Sequence, residues 1–118
     1  MASLTVHYDC PSEDMDDIME MAGYGIGYWA TSAEIGSDAD GEWTYTVTPD
    51  DDAYPLAIVL TRHDYAEAMV WAAGDAPIRA ALSDACRAAV FTGDLSDVDA
   101  DAADVLTQRA AFGEVVYG

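Results

Sequence analysis

The chain has 118 residues, the length of one ordinary domain, and 52% of them are hydrophobic, enough to build a substantial core. Its 17 Asp and 6 Glu stand against 4 Arg and no Lys, a formal net charge of −19. This balance excludes a basic nucleic-acid binder and attachment to anionic membrane surfaces; no apolar run reaches the roughly 18 residues of a transmembrane helix, and the Trp, Tyr, Ile and Val content is unlike that of acidic disordered chains.

Taken in chain order, the start Met1-Ala2-Ser3-Leu4-Thr5 lacks the basic region and apolar stretch of a signal peptide, so a cytoplasmic protein is expected. No linker, repeat or low-complexity tract divides the sequence, and residues 1–118 read as a single compact acidic domain. Leu4, Val6 and Tyr8 alternate with polar neighbours, as in a short first strand. Ser12 is placed to cap a helix whose first turn carries Glu13 and Asp14 beside the positive end of the dipole. Met15, Ile18, Met19 and Ala22 give that helix one apolar face, and Gly23 ends it.

The middle reads as sheet. A strand from Tyr28 to Ile35 would set Trp29, Thr31, Ala33 and Ile35 on one face. Trp43, Tyr45 and Val47 alternate with Thr44, Thr46 and Thr48, the clearest period-two signal in the chain. Leu56 to Leu60 is continuously apolar, as in a strand covered on both sides. The turn compositions Asp38-Ala39-Asp40-Gly41 and Pro49-Asp50-Asp51-Asp52 join these strands into an antiparallel meander.

Beyond Leu60 the period becomes helical. Thr61 followed by Asp64 resembles a capping box, and Tyr65, Met69, Val70 and Ala73 make a face that ends at Gly74. Pro77 opens a helix on which Ile78, Leu82, Ala85, Cys86 and Ala89 align. A last helix from about Val98 turns Ala102, Val105, Leu106 and Ala110 inward, and the apolar segment from Phe112 to Tyr117 is expected to dock on the core. The fold class is therefore α+β, a small antiparallel sheet of three to four strands packed against about four helices.

The acid is unevenly placed. Residues 1–52 hold 13 Asp/Glu and neither Lys nor Arg, while residues 53–118 hold 10 and all 4 Arg. On the first helix Glu13, Asp16, Asp17 and Glu20 share the face opposite the apolar stripe, where like charges about 5–6 Å apart oppose helix formation. Such a row imitates phosphates: one charge per roughly 1.7 Å of duplex makes −19 comparable with about ten base pairs. Asp38, Asp40 and Glu42 at one turn and Asp50, Asp51 and Asp52 at another extend it, although in a meander these turns lie at opposite ends of the sheet.

Motifs of chemistry are sparse. His7, Cys10, His63 and Cys86 lack paired zinc-ligand spacing, and without a secretion signal the cysteines are expected as free thiols. Asp97, Asp99 and Asp101 open like a calcium loop, but Ala102 and Gln108 occupy its glycine and bidentate-glutamate positions, so these acids are read as decorating a helix N-terminus. Gly23-Tyr24-Gly25-Ile26-Gly27 follows a helix and enters a strand, the reverse of a dinucleotide fingerprint. Tyr24, Tyr28 and Trp29 beside the acidic helix suit either core packing or an aromatic anchor. No nucleophile elbow is present, and neither catalytic residue, metal nor cofactor is expected.

With its Gly27-Tyr28-Trp29-Ala30 segment and its Ala111-Phe112-Gly113-Glu114-Val115-Val116-Tyr117-Gly118 end, most of the chain resembles small acidic proteins of actinobacteria, their phages and plasmids. These motifs carry no known chemistry, so no active-site residue transfers. The resemblance implies a mobile-element setting, in which small acidic proteins often block host defence nucleases. The expected function is that of a DNA-mimic inhibitor of anti-CRISPR or antirestriction type. Its expected partner is a basic nucleic-acid-binding protein of the host, a nuclease or CRISPR effector, met through Glu13, Asp14, Asp16, Asp17, Glu20, Asp38, Asp40, Glu42 and Asp50 to Asp52. Reversal of Glu13, Asp16, Asp17 and Glu20 to Lys is expected to abolish binding and spare the fold. The alternative is a non-enzymatic housekeeping or structural interaction protein whose acidity is compositional, from a GC-rich or salt-adapted source.

Overall fold

The computed structural model describes Asp16, Ile18 and residues 26–50, 56–74 and 78–116. Three strands, β1 (Ala30–Ser37), β2 (Trp43–Pro49) and β3 (Ile58–Thr61), form an antiparallel sheet in the order β1-β2-β3. Three helices follow, α1 (Arg62–Ala73), α2 (Ala80–Thr92) and α3 (Ala100–Phe112). The α+β class and the meander are as the alternation and the turn residues require. The expected strand at Leu4–Tyr8 lies outside the described residues, as does the helix opened by Ser12, apart from helical Asp16 and Ile18.

Alternation along β2 turns Trp43, Tyr45 and Val47 to the core, with Leu60 of β3 beside Tyr45. Tyr65 of α1 stands edge-on to Trp43, ring centroids 6.1 Å apart, and Met69 and Leu106 complete the centre. Thr44, on the other face, is nevertheless buried: β2 is the middle strand, and Thr44 sits between Gly36 and Thr61.

Two expectations about the outer strands fail. In β1 the register shifts between Ala30 and Ser32, so Thr31 leaves the face that Ala33 shares with Val47. Ile35, opposite buried Tyr45, keeps that face but is 52% exposed on the edge strand of the sheet. Trp29 is buried from the turn before the strand, where Ile26 carbonyl accepts the Trp29 and Ala30 amides at 3.0 Å each. The apolar run Leu56–Leu60 is not covered on both sides: Leu60 is buried, while Leu56 and Val59 are exposed, Val59 sharing the outer face with Thr46. Among the described residues the three helices pack on the face of Tyr45 and Leu60, so apolar character on the other face did not report burial.

The capping box at α1 is complete. Thr61 hydroxyl accepts the Asp64 amide at 3.3 Å, and Asp64 Oδ2 accepts the Thr61 amide at 2.9 Å. The far end of α1 is closed by α2. Ser83 hydroxyl donates to Ala72 carbonyl at 2.6 Å and Arg87 Nε to Ala73 carbonyl at 2.7 Å, setting a cation on the negative end of the helix dipole. Leu82, Ala85, Cys86 and Ala89 face inward as their spacing predicts, with Ile78 half-buried before the helix. Gly93 ends α2 at φ 74°.

Asp99 caps α3 by accepting the Ala102 amide at 2.9 Å. The buried face of α3 differs from the expected one: Ala102 and Leu106 are buried, Val105 and Ala110 are half-buried, and Ala103, Thr107 and Gln108 are fully buried. Thr107 is satisfied by Tyr65 hydroxyl at 3.0 Å and Ala103 carbonyl at 2.8 Å. The tail docks in part. Phe112 packs edge-on to Trp29 at 5.5 Å and the Val116 amide reaches Gln108 Oε1 at 2.8 Å, yet the Val115 and Val116 side chains remain exposed.

Candidate interaction surface

At the β1–β2 turn one acid shapes the chain so that two others project. Asp38 Oδ1 accepts the amides of Asp40 at 2.9 Å and Glu42 at 3.0 Å, while Asp38 amide and Glu42 carbonyl close the hairpin at 2.9 Å. Gly41 holds φ 79°, a left-handed position that suits glycine. Asp40 and Glu42 are exposed as a result.

Asp16 belongs to the same end of the sheet. Its Oδ1 accepts the Trp43 indole N–H at 3.0 Å, which ties Asp16 to the residue that follows Glu42. Asp16 is an exposed acid that also bonds a core tryptophan, so its reversal to Lys is expected to lower stability as well as change the charge.

Asp50 lies elsewhere. Its amide donates to Trp29 carbonyl at 2.7 Å, past the opposite end of β2 from Glu42. Eight residue steps of extended chain separate the two acids by roughly 25 Å. Asp38, Asp40 and Glu42 therefore share one turn, Asp16 is bonded to the tryptophan that follows it, and Asp50 stands apart. Glu13, Asp14, Asp17, Glu20, Asp51 and Asp52 lie outside the described residues.

Every one of the four arginines is engaged within the fold. Arg62 pairs with Glu42 at 3.4 Å, Arg79 with Asp101 at 3.3 Å, and Arg87 with Asp84 at 2.9 Å as well as with the end of α1. Arg109 lies 4.8 Å over the Trp71 ring and donates to Gly113 carbonyl.

A second cluster, centred on Asp104, escaped the sequence reading. Asp104 Oδ2 accepts the Tyr28 hydroxyl at 2.6 Å, and Oδ1 accepts Trp29 indole N–H at 2.7 Å and Gln108 Nε2 at 2.9 Å. Gln108 Nε2 also reaches Tyr28 hydroxyl at 3.2 Å. The Tyr28 ring is 58% exposed while its hydroxyl is held against the protein. Burial of that end, then the Asp104 carboxylate, pushes the phenol up to about 12. The only advance signal was the i, i+4 spacing of Asp104 and Gln108, which puts both on one helix face.

The remaining candidates for chemistry are dispersed. His63 is exposed and 3.1 Å from Glu67, while Cys86 is a buried free thiol pushed up to about 11 by burial. Asp99 serves as a cap, and Asp94 accepts both the hydroxyl and the amide of Ser96, which hold its carboxyl below the usual range. Among the described residues no group of three His, Cys, Asp or Glu is placed to hold a metal ion. A cleft of about 180 Å³ between α1 and α3 is lined by Asp64, Glu67, Ala68, Arg109, Ala110 and Gly113, smaller than the roughly 300–1,000 Å³ of small-molecule sites. No described helix is long and apolar enough to cross a membrane.

Comparison of the chain with protein-family models, curated proteins and solved structures gives no match.

Proposed function

We propose that the protein is an acidic DNA mimic that occupies the nucleic-acid channel of a basic host defence protein, a nuclease or CRISPR effector, in a mobile-element setting. The observation that carries this reading is the group at one end of the sheet. Asp38, Asp40 and Glu42 share the turn there, Asp16 is bonded to Trp43 that follows it, and the cation Arg62 is tied to Glu42. With 23 acids against four arginines, each of which is paired within the fold, the net field reaching a partner is that of the surplus carboxylates. Such a field accelerates encounter with a basic cleft and weakens as salt rises.

The test is a pull-down of the tagged protein from host lysate at low and moderate salt, followed by competition with duplex DNA. Recovery of a nucleic-acid-binding protein that DNA displaces supports mimicry, and Asp40→Lys with Glu42→Lys should abolish that recovery. A partner indifferent to DNA, to salt and to both reversals sinks it.

A second reading, acidity as composition in an interaction protein, draws on the internal use of several acids. Asp38, Asp64, Asp99 and Asp104 each accept hydrogen bonds that shape turns, caps or contacts between elements. On that reading the two reversals leave activity unchanged.

A further inference from the structure

The surface around Tyr28 is distinct from the acidic end of the sheet and has a different character. Tyr28 is 58% exposed, and Val115 and Val116 are 42% and 40% exposed. A single side-chain amide joins them. Gln108 Nε2 lies 3.2 Å from the Tyr28 hydroxyl, and Gln108 Oε1 accepts the Val116 amide at 2.8 Å. Gln108 is itself fully buried, so the tyrosine and the tail are fastened to one fixed point.

An exposed aromatic ring that is already immobilised loses little freedom on binding, which is the property of an interface anchor. Its charged surroundings select the partner. Asp104 holds the Tyr28 hydroxyl, Asp101 stands one helical turn before Asp104 on α3, and Glu114 precedes the two valines. Asp101 already holds a guanidinium, that of Arg79, at 3.3 Å with both side chains largely exposed. Exposed pairs of this kind exchange readily, because each is worth little in water. The ring supplies a face for a cation, the carboxylates supply its counter-charge, and the valines supply an apolar ledge. A second copy of this chain fits poorly, since each carries −19.

We propose that Tyr28, Val115 and Val116, with Asp101 and Glu114 beside them, form a docking surface for an arginine-bearing apolar segment of a protein partner. The inference rests on the DNA-mimic reading only in taking the partner to be basic.

The two buried tryptophans allow a test, because each indole N–H reports a different surface. Trp29 donates to Asp104 and Trp43 to Asp16. A capped pentapeptide of alternating arginine and leucine is titrated into the isotopically labelled protein at 0.15 M salt, with its citrulline counterpart as the neutral control. The Trp29 indole and Val116 amide signals should shift saturably with one dissociation constant, and the Trp43 indole should not follow them. Tyr28→Ala should weaken that constant at least fivefold, whereas Tyr28→Phe, which keeps the ring but releases it from Asp104, should weaken it by a smaller factor. Equal shifts at both indoles, equal binding of the citrulline peptide, or indifference to Tyr28→Ala would overturn the proposal. Peptide seated at Tyr28 with no DNA-displaced partner in the pull-down defeats the mimic reading alone; the converse defeats this inference alone.

Discussion

Asp104 Oδ1 accepts the indole N–H of Trp29 at 2.7 Å across 75 positions of sequence, fastening the approach to the first strand onto the last helix. Around that bond the same carboxylate collects Tyr28 and Gln108, so one side chain secures the turn before β1, the exposed aromatic and, through Gln108, the tail. Replacing it removes an acceptor for three donors at once. Asp104→Ala should cost about 3 kcal/mol, since each buried donor left without a partner costs about 1–3 kcal/mol. Urea unfolding followed by tryptophan fluorescence measures it, and a loss under about 1 kcal/mol would show that water replaces the carboxylate.

Asp16 and Asp40 separate charge from structure. Asp16→Lys removes the acceptor of the Trp43 indole and should cost about 1–2 kcal/mol, whereas Asp40→Lys should stay within about 0.5 kcal/mol of the parent. Equal melting temperatures for the two variants would remove the structural role assigned to Asp16.

The capping box offers a local measurement. Thr61→Ala leaves the Asp64 amide without its hydroxyl acceptor and should destabilise the protein by about 1 kcal/mol, read as a lower denaturation midpoint at unchanged slope.

Alkaline pH should unfold the protein in a definite window. Burial raises the Cys86 thiol from 9.0 to about 11, and Tyr28 rises from 10.0 to about 12. Both groups are held protonated in the fold, so their contribution is complete below the unfolded values and is lost as pH climbs through the folded ones. Melting temperature should therefore fall from about pH 9 to pH 12, and Tyr28→Phe should flatten the upper half of that decline. A melting temperature constant across the window contradicts it.

Alanines set the spacing of the helices. Ala72, Ala89 and Ala103 are wholly inaccessible, so Ala103→Leu should cost about 1–3 kcal/mol by overpacking. Ala81→Leu, on the exposed side of α2, should be near neutral in the same thermal assay.

What could be read in advance divides along physical lines. Period-two alternation located β2, and the Thr61–Asp64 spacing located the start of α1, because both are local signals. Apolar content misjudged Leu56, Val59 and Ile35, whose exposure depends on where the helices stop covering the sheet. Gln108 and Thr107 were missed because a search for apolar periodicity passes over polar residues that the fold satisfies from afar, Thr107 through Tyr65 and Gln108 through Tyr28. Among the acids, the turn roles of Asp38 follow from composition. The isolation of Asp50 from the Asp38 turn follows from the meander, and the Asp16–Trp43 bond follows from neither.

The order of elements also has a consequence in time. The three strands are consecutive, and the 51 residues from Arg62 to Phe112 supply all three described helices that cover them. At roughly 5–20 residues per second a ribosome takes about 3–10 s to make that stretch. For those seconds Trp43, Tyr45, Val47 and Leu60 have been synthesised and the three helices that follow them have not, although helical Ile18, also in the core, comes earlier in the chain. Before any partner is met, the nascent chain thus passes through an interval in which its sheet lacks the greater part of its described cover, and its surplus of negative charge opposes association between such chains.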